Sequence, residues 1–375
     1  MIREAKDITL VLASNDKRSG NLEQELRSRV GELIKIDYDP IAPQYKYLAA
    51  LLTYHPDRGV WWTRYQWHPV VQAGRRANVV KALKKLDRPF DALLMWGSWM
   101  HPVKNTAFQD KPFYYYIDQS CNKHLDPFDP VDAPGLDKPR LAFNRAQRES
   151  YEDAKRVFCM SQWTREQTLE SHDIPESKAV AVGWGPIGIN LSHESLSQNR
   201  TEKIVLFVGN EFLRKGMDYL REAMPKVVEQ IPDARFIVVG ENADHYELEP
   251  HPNLELTGLI SDIEQLKDLY RRASVFVLPH RFERAGHVII EAMTAGLPIV
   301  TSNQGGPPEV VHQGENGFVV EIGDVGGLAG ALVQLLQDAE LAGNFGEKSR
   351  AIAQNGYLWG NIADKMLSDI LQTLP

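Results

Sequence analysis

The sequence is poor in cysteine, with only Cys121 and Cys159 among its 375 residues. Two cysteines cannot build a disulfide scaffold or a four-cysteine zinc site, and such scarcity is typical of a reducing cytoplasm. Long apolar runs are absent too, since the longest, such as Tyr47–Leu52 and Ile204–Val208, are far too short to span a bilayer. The charged residues at positions 3–7 do not resemble a signal peptide. We therefore expect a cytoplasmic protein.

The chain also lacks an excess of basic residues, because 42 Lys and Arg stand against 50 Asp and Glu, a net charge of −8. This composition argues against general binding to nucleic acid, whose phosphates require a basic surface. The charge is uneven: residues 1–190 carry 27 basic and 24 acidic residues, and the rest of the chain carries 15 and 26. The two halves are therefore suited to different electrostatic tasks.

The length predicts two domains, and the hydrophobic pattern predicts their class. Short apolar runs alternate with helical patterns throughout, which predicts α/β domains with parallel sheets covered by helices on both faces. The predicted strands of the first half are Ile8–Ala13, Leu33–Asp37, Ala92–Trp96, Phe113–Ile117, Val157–Met160 and Ala179–Val182. Those of the second half are Ile204–Val208, Arg235–Val239, Leu254–Leu256, Val275–Leu278, Ile299–Thr301 and Gly317–Val319.

The segment Gly183–Arg200, rich in Gly, Ser and Asn, is the predicted boundary between the two blocks. We assign the N-terminal domain to residues 1–190 and the C-terminal domain to residues 191–355. A helix at 356–375 is expected to cross back to the N-terminal domain. Two such domains predict a cleft at the carboxyl ends of their strands, where ligands usually bind.

The most informative segment is Pro279–Glu309, which reads PHRFERAGHVIIEAMTAGLPIVTSNQGGPPE. It follows a predicted strand, and Gly286 then opens a helix. The backbone N–H groups of Gly286, His287 and Val288 would point out of the helix start, where the helix dipole favours an anion. Glycine permits close approach of a ligand to the backbone. This arrangement predicts a pocket for phosphate oxygens.

Two carboxylates flank that pocket, Glu283 before the helix and Glu291 within it. A carboxylate beside a phosphate pocket accepts hydrogen bonds from hydroxyl groups, because it repels the phosphate itself. Two of them suit a ligand with hydroxyls on both sides of a diphosphate. The segment therefore predicts a site for a nucleotide sugar.

The glutamates belong to a longer ordered set of motifs. Seven residues separate Glu283 from Glu291, which is followed by Ala292, Met293, Gly296, Leu297 and Pro298. Other matching positions are Ser161–Trp163, Gly188–Asn190, Val208-Gly209, Lys215-Gly216, Gly305, Gly306, Glu309, Gly314 and Gly317. This set, strongest over residues 155–340, resembles the retaining glycosyltransferases of family 4. The resemblance implies the GT-B fold, in which two Rossmann-like α/β/α domains face each other across a cleft. The C-terminal domain would bind the nucleotide-sugar donor and the N-terminal domain the acceptor.

The resemblance also implies roles for single residues. Glu283 would hold hydroxyls of the transferred sugar, Glu291 the ribose hydroxyls and Lys215 the diphosphate. The family's arginine after the strand glycine is Asn210 here, and Arg214 could supply the missing cation or form only a surface salt bridge. The donor-binding residues predicted in this way are Gly209, Asn210, Arg214, Lys215, Gly258, Leu259, Glu283, Ala285, Gly286, His287, Val288 and Glu291. Gly258 and Leu259 are expected to line the base pocket.

The first half carries weaker signals for the acceptor or phosphate side. Ser19-Gly20 follows the first strand and either approaches the ligand or only starts a helix. Asp118 follows the aromatic strand Phe113–Ile117 and is predicted as a catalytic residue with Lys215 and Glu283, the alternative being a turn-forming aspartate. His101 follows the preceding strand, and either reaches the cleft or is structural.

Residues 58–88 are basic and aromatic, with eight Lys or Arg and three Trp. Such a stretch could contact an anionic membrane surface at the inner face or grip an anionic acceptor. The alternative is a solvated helix face with core tryptophans.

The resemblance implies a retaining hexosyltransferase, and we expect it to need no metal cofactor, since two cations and helix amides would stabilise the leaving diphosphate. By resemblance the default donor is UDP-glucose, and the acceptor is a hydroxyl of a glycan, a lipid-linked sugar or a small molecule. Three alternatives stay open. They are a GT-B nucleotide-sugar epimerase, a non-catalytic nucleotide-sugar-binding homologue, and a one-domain metal-dependent transferase that uses Asp37-Tyr38-Asp39.

Overall fold

A computed structural model describes residues 4–16, 18–38, 43–97, 101–119, 137–194, 200, 202–242 and 245–375. The chain divides into two units. The first contains Met1–Gly183 together with Ile362–Pro375, and the second contains Trp184–Asn361. The division falls at Gly183 rather than at residue 190, because residues 187–189 are hydrogen-bonded to a helix of the second unit.

The described part of the first unit contains a six-stranded parallel sheet in the order β2-β1-β3-β4-β5-β6. Its strands are β1 Thr9–Ala13, β2 Glu32–Ile36, β3 Ala92–Trp96, β4 Phe113–Ile117, β5 Arg156–Cys159 and β6 Ala179–Ala181. Its helices are α1 Ser19–Arg29, α2 Pro43–Leu52, α3 Arg58–Trp67, α4 Pro69–Leu83, α5 Asp137–Asp153 and α6 Gln162–His172. β3 and β4 are buried throughout, as the central strands of a sheet covered on both faces should be.

The second unit repeats this arrangement, with the strand order β12-β11-β10-β7-β8-β9 among its described residues. Its strands are β7 Ile204–Val208, β8 Arg235–Val239, β9 Leu254–Gly258, β10 Val275–Leu278, β11 Ile299–Ser302 and β12 Gly317–Val320. Its helices are α7 Met217–Gln230, α8 Ile263–Arg272, α9 His287–Thr294, α10 Val325–Gln337 and α11 Ala339–Gly356. The prediction of two parallel α/β sheets is confirmed.

The strand order reverses between β1 and β3 in the first sheet and between β7 and β10 in the second. Loops that leave the carboxyl ends of such neighbouring strands run in opposite directions, and the gap between them is where open α/β sheets bind ligands. The two-unit architecture contradicts the one-domain, metal-dependent alternative. Of its carboxylates, Asp37 directly follows β2, and Asp39 lies outside the described residues.

The last helix, α12 Trp359–Thr373, contributes residues 362–375 to the first unit. The Tyr114 hydroxyl of β4 lies 2.9 Å from Thr373 Oγ1, and Arg156 of β5 forms a 2.9 Å ion pair with Asp369. Ile370, between these two contacts, is fully buried. Burial of this helix therefore stabilises the first sheet.

We predict that Ile370→Ala lowers the free energy of unfolding by about 2–5 kcal/mol, because it removes buried methyl groups and leaves a cavity. Urea unfolding followed by circular dichroism measures the change. Gln372→Ala, at an exposed position of the same helix, is the matched control and should change it by less than about 0.5 kcal/mol. Equal stability of the two variants would show that the helix is not packed as described.

Candidate functional site

The loops after β7 and β10 meet because the two strands are paired. Gly216 closes the β7 loop with a φ of +78°, and a Cβ at this position would collide with the Pro279 carbonyl of the β10 loop. Only glycine therefore lets the two loops approach this closely. The approach brings Lys215 against Glu283, and their side chains form an ion pair.

Arg214 joins this pair. Its Nη1 lies 3.5 Å from Glu283 Oε2, and its Nη2 lies 2.5 Å from Glu211 Oε2. Burial by itself would raise the pKa of Glu283, but Lys215 and Arg214 outweigh it and hold the pKa well below its usual range. Three predicted donor-binding residues thus come together, with Glu283 ionised and two cations beside it.

Sequence reasoning missed His280, which lies two residues beyond β10. Its side chain is fully buried, and neither ring nitrogen has a hydrogen-bond partner among the described residues. Burial lowers the pKa of His280 to about 3, opposed by Glu283 and reinforced by Lys215. The imidazole is therefore neutral at physiological pH. The only sequence signal was its place at the end of a strand beside the switch point.

Gly286 begins α9 with a φ of +82°, and its carbonyl accepts the first helical hydrogen bond, from Ile289 N–H, at 2.9 Å. The N–H groups of a first helical turn have no acceptor within the helix, so the predicted anion site lies here. The His287 side chain has a structural contact, because Nδ1 lies 2.7 Å from the Gly185 carbonyl oxygen. The donor contact predicted for His287 is that of its backbone N–H, and it stays a prediction.

Glu291 is only 5% exposed. Its Oε1 accepts N–H bonds from Ile187, Gly188 and Ile189 at 3.2, 2.7 and 3.3 Å, and its Oε2 accepts the Tyr270 hydroxyl at 3.0 Å. Burial raises the pKa of Glu291, although these four donors oppose the rise. The sequence predicted only contact with ribose hydroxyls; the structure shows a carboxylate that fixes the 187–189 backbone.

Asn210 also has a structural contact. Its Oδ1 accepts the Glu241 N–H at 2.7 Å and so ties the loop after β7 to the loop after β8. Gly209 N–H donates to the Val239 carbonyl, and Gly240 N–H donates to the Gly258 carbonyl. The carboxyl ends of β7, β8 and β9 are therefore held side by side.

A cavity of about 480 Å³ opens at these strand ends. Its mostly apolar lining includes Phe212, Tyr246, Leu256, Gly258 and Leu259. The two residues that the sequence predicted for a base pocket thus face a shared space. The aromatic and aliphatic lining is of the kind that accommodates planar organic rings.

In the first unit, Asp118 follows β4 and its carboxylate lies 3.9 Å from Arg18 Nη2. The same nitrogen lies 2.5 Å from Asp16 Oδ2, which also accepts the Trp96 indole N–H at 3.2 Å. The Asp118 carbonyl accepts the Thr164 hydroxyl at 2.9 Å. The carboxyl ends of β1, β3 and β4 thus present two acids and one guanidinium, of which the sequence had singled out only Asp118.

Ser19 and Gly20 lie in the first turn of α1. The Ser19 side chain is fully buried, and its hydroxyl donates to the Asp16 carbonyl at 2.6 Å. Gly20 is exposed, and a Cβ there would meet no atom within 4 Å. Ser19 therefore has the helix-start role, whereas Gly20 is open to contact.

His101 is placed differently from the prediction. Its ring packs 4.6 Å from that of Phe113, at the amino end of β4, and Nε2 lies 3.2 Å from Asp153. Asp118 is at the opposite end of the same strand, so the prediction that His101 reaches the carboxyl edge is wrong. The loop before β4 is long enough to return the chain to the other edge of the sheet.

The described residues also bear on metal binding and on membrane spanning. They contain no group of three or more His, Cys, Asp or Glu side chains that could hold a metal ion. None of their helices combines the length and the apolar character that crossing a membrane requires.

The model of the family described as glycosyl transferases group 1 matches residues 189–352, which carry Lys215, Glu283 and Glu291. Over that region the chain is similar to this family. An uncharacterized glycosyltransferase of Methanocaldococcus jannaschii is 30% identical over 237 residues, 58% of this chain and 60% of that protein. The chain spans about half the length of the curated relatives it matches.

Solved structures confirm the GT-B fold. Sucrose-phosphate synthase from Thermosynechococcus elongatus has a TM-score of 0.71 and 21% identity, covering 97% of this chain and 98% of that one. HepE of Anabaena, solved with UDP and glucose, has a TM-score of 0.64 and 16% identity, covering 98% of this chain and all of that one. At such identities these likenesses establish the fold alone.

We predict that Glu291→Ala lowers the free energy of unfolding by about 2–5 kcal/mol, because three amides and the Tyr270 hydroxyl lose their buried acceptor. Glu291→Gln keeps an acceptor oxygen and removes a buried charge, so it should stay within about 1 kcal/mol of the parent protein. Chemical denaturation of both variants measures the difference. Equal stability of Glu291→Ala and the parent would contradict the structural role.

From the environment of Glu283 we predict that the stability of the protein depends on pH. The lowered pKa of Glu283 means that the ionised form contributes stability above the usual carboxyl pKa near 4.5, and that this contribution is lost as pH falls below that value. Glu283→Gln should therefore lower the free energy of unfolding by about 1–3 kcal/mol at pH 7. The difference from the parent protein should become smaller in acid.

Urea unfolding at pH 7 and at an acid pH below the usual carboxyl pKa measures the difference in free energy of unfolding between Glu283→Gln and the parent protein. Glu264→Gln, which breaks the exposed Glu264–Lys267 pair, is the control and should change stability by less than about 1 kcal/mol at either pH. A Glu283→Gln difference that is independent of pH would contradict the assignment.

Proposed function

We propose that this protein is a retaining glycosyltransferase that moves a hexose from a nucleoside-diphosphate sugar to a hydroxyl group of an acceptor. One observation carries the proposal. At the switch point of the second sheet, Lys215 and Arg214 meet Glu283 beside the first turn of α9, within the region that matches the model of the glycosyl transferases group 1 family. Cations, amides and a carboxylate at one place suit a diphosphate joined to a sugar.

Donor binding would exchange one set of contacts for another. The diphosphate oxygens take the place of the Glu283 carboxylate at Lys215 and Arg214, since a phosphate group carries more negative charge than a carboxylate. Glu283, being ionised, then accepts hydrogen bonds from hydroxyls of the sugar. The same side chain therefore neutralises the cations before binding and orients the hexose afterwards.

Transfer would leave negative charge on the departing diphosphate. Lys215, Arg214 and the first-turn amides of α9 are placed to stabilise that charge, and stabilisation at the moment of departure is what accelerates the reaction. These groups supply the positive charge that a metal ion supplies in other transferases, so we propose that no metal cofactor is needed. On the first unit, we assign the acceptor hydroxyl to Asp118 beside Arg18.

The base would enter the cavity lined by Gly258 and Leu259, and Tyr246 and Phe212 offer aromatic surface there. We propose UDP-glucose as the donor; the structural relative HepE was solved with UDP and glucose. The remaining acceptor capacity of Glu291 Oε2 allows one ribose hydroxyl, since Oε1 already binds three amides.

A non-catalytic nucleotide-sugar-binding protein is the second candidate. The observation that favours it is Asn210, which stands where the family has an arginine. The Asn210 side-chain oxygen accepts the Glu241 N–H. Donor hydrolysis or transfer would exclude this candidate. Product analysis without acceptor would separate a transferase from an epimerase.

We predict that Lys215→Ala weakens donor binding and also lowers kcat by about 10²–10³, because its charge matters most as the diphosphate departs. Radiolabel transfer and titration calorimetry measure the two effects. Lys226→Ala, an exposed lysine on α7, is the control. Full activity of Lys215→Ala would overturn the proposal that Lys215 binds the diphosphate. Loss of wild-type activity in excess chelator would overturn the proposal that no metal is needed.

Donor identity can be tested by thermal shift with UDP, GDP and ADP and then with their sugars. A ligand at 100 times its dissociation constant should stabilise the protein by about 2.7 kcal/mol. We expect UDP and UDP-glucose to give the largest shift. A larger shift with GDP or ADP would assign the donor to that nucleotide instead of UDP. The absence of a shift with any of the nucleotides and their sugars would contradict donor binding.

A further inference from the structure

We propose that the exposed face of α2 docks on an anionic lipid bilayer. We call Tyr47, Leu48, Leu51 and Leu52 the α2 face. Their exposed fractions are 75%, 48%, 75% and 59%. Soluble proteins rarely expose contiguous large apolar side chains unless they contact a partner or a membrane.

The helix is oriented in an unusual way. With 100° per residue, the four residues of the α2 face fall within an arc of about 140°. The opposite side carries Ala49, Ala50 and Thr53, and Ala49 and Thr53 are buried. A helix that packs by its hydrophobic residues would turn the leucines inward. Among its described side chains, α2 instead turns the small residues inward and the large apolar ones outward.

The packing of α2 explains why this orientation is held. Ala49 belongs to a small apolar cluster with Tyr65 and Val71, on α3 and α4. The Trp61 indole N–H donates to the Ala50 carbonyl at 3.0 Å, and the Thr53 hydroxyl donates to the Ala49 carbonyl at 2.7 Å. Small residues allow this close contact, so rotation of the leucines into the interior would break it.

Aromatic residues with polar tips extend the α2 face. Tyr54 follows the helix and is 68% exposed, and Trp62 on α3 is 59% exposed and stacks on Tyr65 at 5.7 Å between ring centroids. Tyr and Trp are enriched where one end of a side chain meets lipid and the other meets water. This composition suits the headgroup region of a bilayer better than a dry protein interface.

The charge of the same helices selects the lipid. Residues 43–88 contain nine Lys or Arg and two Asp or Glu, a formal charge of +7 in a chain of −8. The exposed cations are Lys46, Arg58, Lys81, Lys84, Lys85 and Arg88. Exposed cations on these helices are attracted to anionic headgroups. A second copy of this chain is disfavoured as the occupant, because it would bring a like charge of +7.

This surface differs from the one expected from residues 58–88. Trp67 and Arg75 of that stretch are buried, and Arg75 donates to the Gln66 side chain inside the unit. The apolar side chains proposed to contact the membrane are therefore those of the α2 face, and α4 and the residues after it supply the positive charge. With ten residues α2 lies on a membrane rather than across it. The inference does not depend on sugar transfer, since vesicles without donor or acceptor test it.

The experiment is co-sedimentation of the full chain with two kinds of vesicle, phosphatidylcholine alone and phosphatidylcholine containing phosphatidylglycerol. We expect binding only to the anionic vesicles, decreasing as salt rises. The double variant Leu48→Gln/Leu51→Gln keeps helix-forming residues and net charge and should lower the partition coefficient by about tenfold or more. Ile322→Gln, at a 40% exposed position of the second unit, is the matched control and should bind as the parent does.

Charge is tested separately with Lys81→Gln/Lys84→Gln/Lys85→Gln, which should weaken binding to anionic vesicles and reduce its salt dependence. Three outcomes would overturn the proposal: no sedimentation with either vesicle, equal binding of Leu48→Gln/Leu51→Gln and the parent, or a parent dimer in sedimentation velocity that this double variant abolishes. Donor binding measured on the same variants should be unchanged. The membrane proposal and the donor proposal can therefore fail independently.

Discussion

The contact between Lys215 and Glu283 is the interaction on which the candidate site depends. It joins loops from two strands that are adjacent in the sheet but distant in the chain, and it requires Gly216, whose missing Cβ leaves room for the Pro279 carbonyl. The cations depress the pKa of Glu283, and Glu283 in turn compensates their charge in a largely buried position. A ligand that competes for these cations must therefore be strongly anionic, which is why a diphosphate is the natural candidate.

The two glutamates of one motif have opposite environments. Glu283 faces two cations and its pKa is lowered, whereas Glu291 faces backbone amides and the Tyr270 hydroxyl and its pKa is raised by burial. Spacing alone suggested that both residues bind hydroxyl groups. The amides of residues 187–189 approach Glu291 only when the chain leaves the first unit and returns beside α9, a long-range contact that no local pattern records.

For some helices the apolar pattern in the sequence predicts which side is buried, and for others it does not. In α7 the apolar positions recur at helical spacing and lie inward, which is the pattern from which a helix is predicted. In α2 leucines lie on one side and alanines on the other, so the pattern does not say that the alanines pack inward and the leucines stay exposed. His101 shows the same limit: its distance from β3 in sequence said nothing about which end of the sheet the loop would reach.

Local patterns were enough to predict the two parallel sheets and the strand-to-helix turn at Gly286. Strands buried on both faces are continuous apolar runs, and glycine at a strand-to-helix turn is a local requirement. Which side chains meet depends on how the chain folds. The tertiary structure paired Lys215 with Glu283, enclosed His280 without a partner among the described residues, fixed Glu291 to a distant backbone segment and turned the leucines of α2 outward. Each of these outcomes depends on contacts between residues far apart in the chain, whose energies a one-dimensional pattern does not contain.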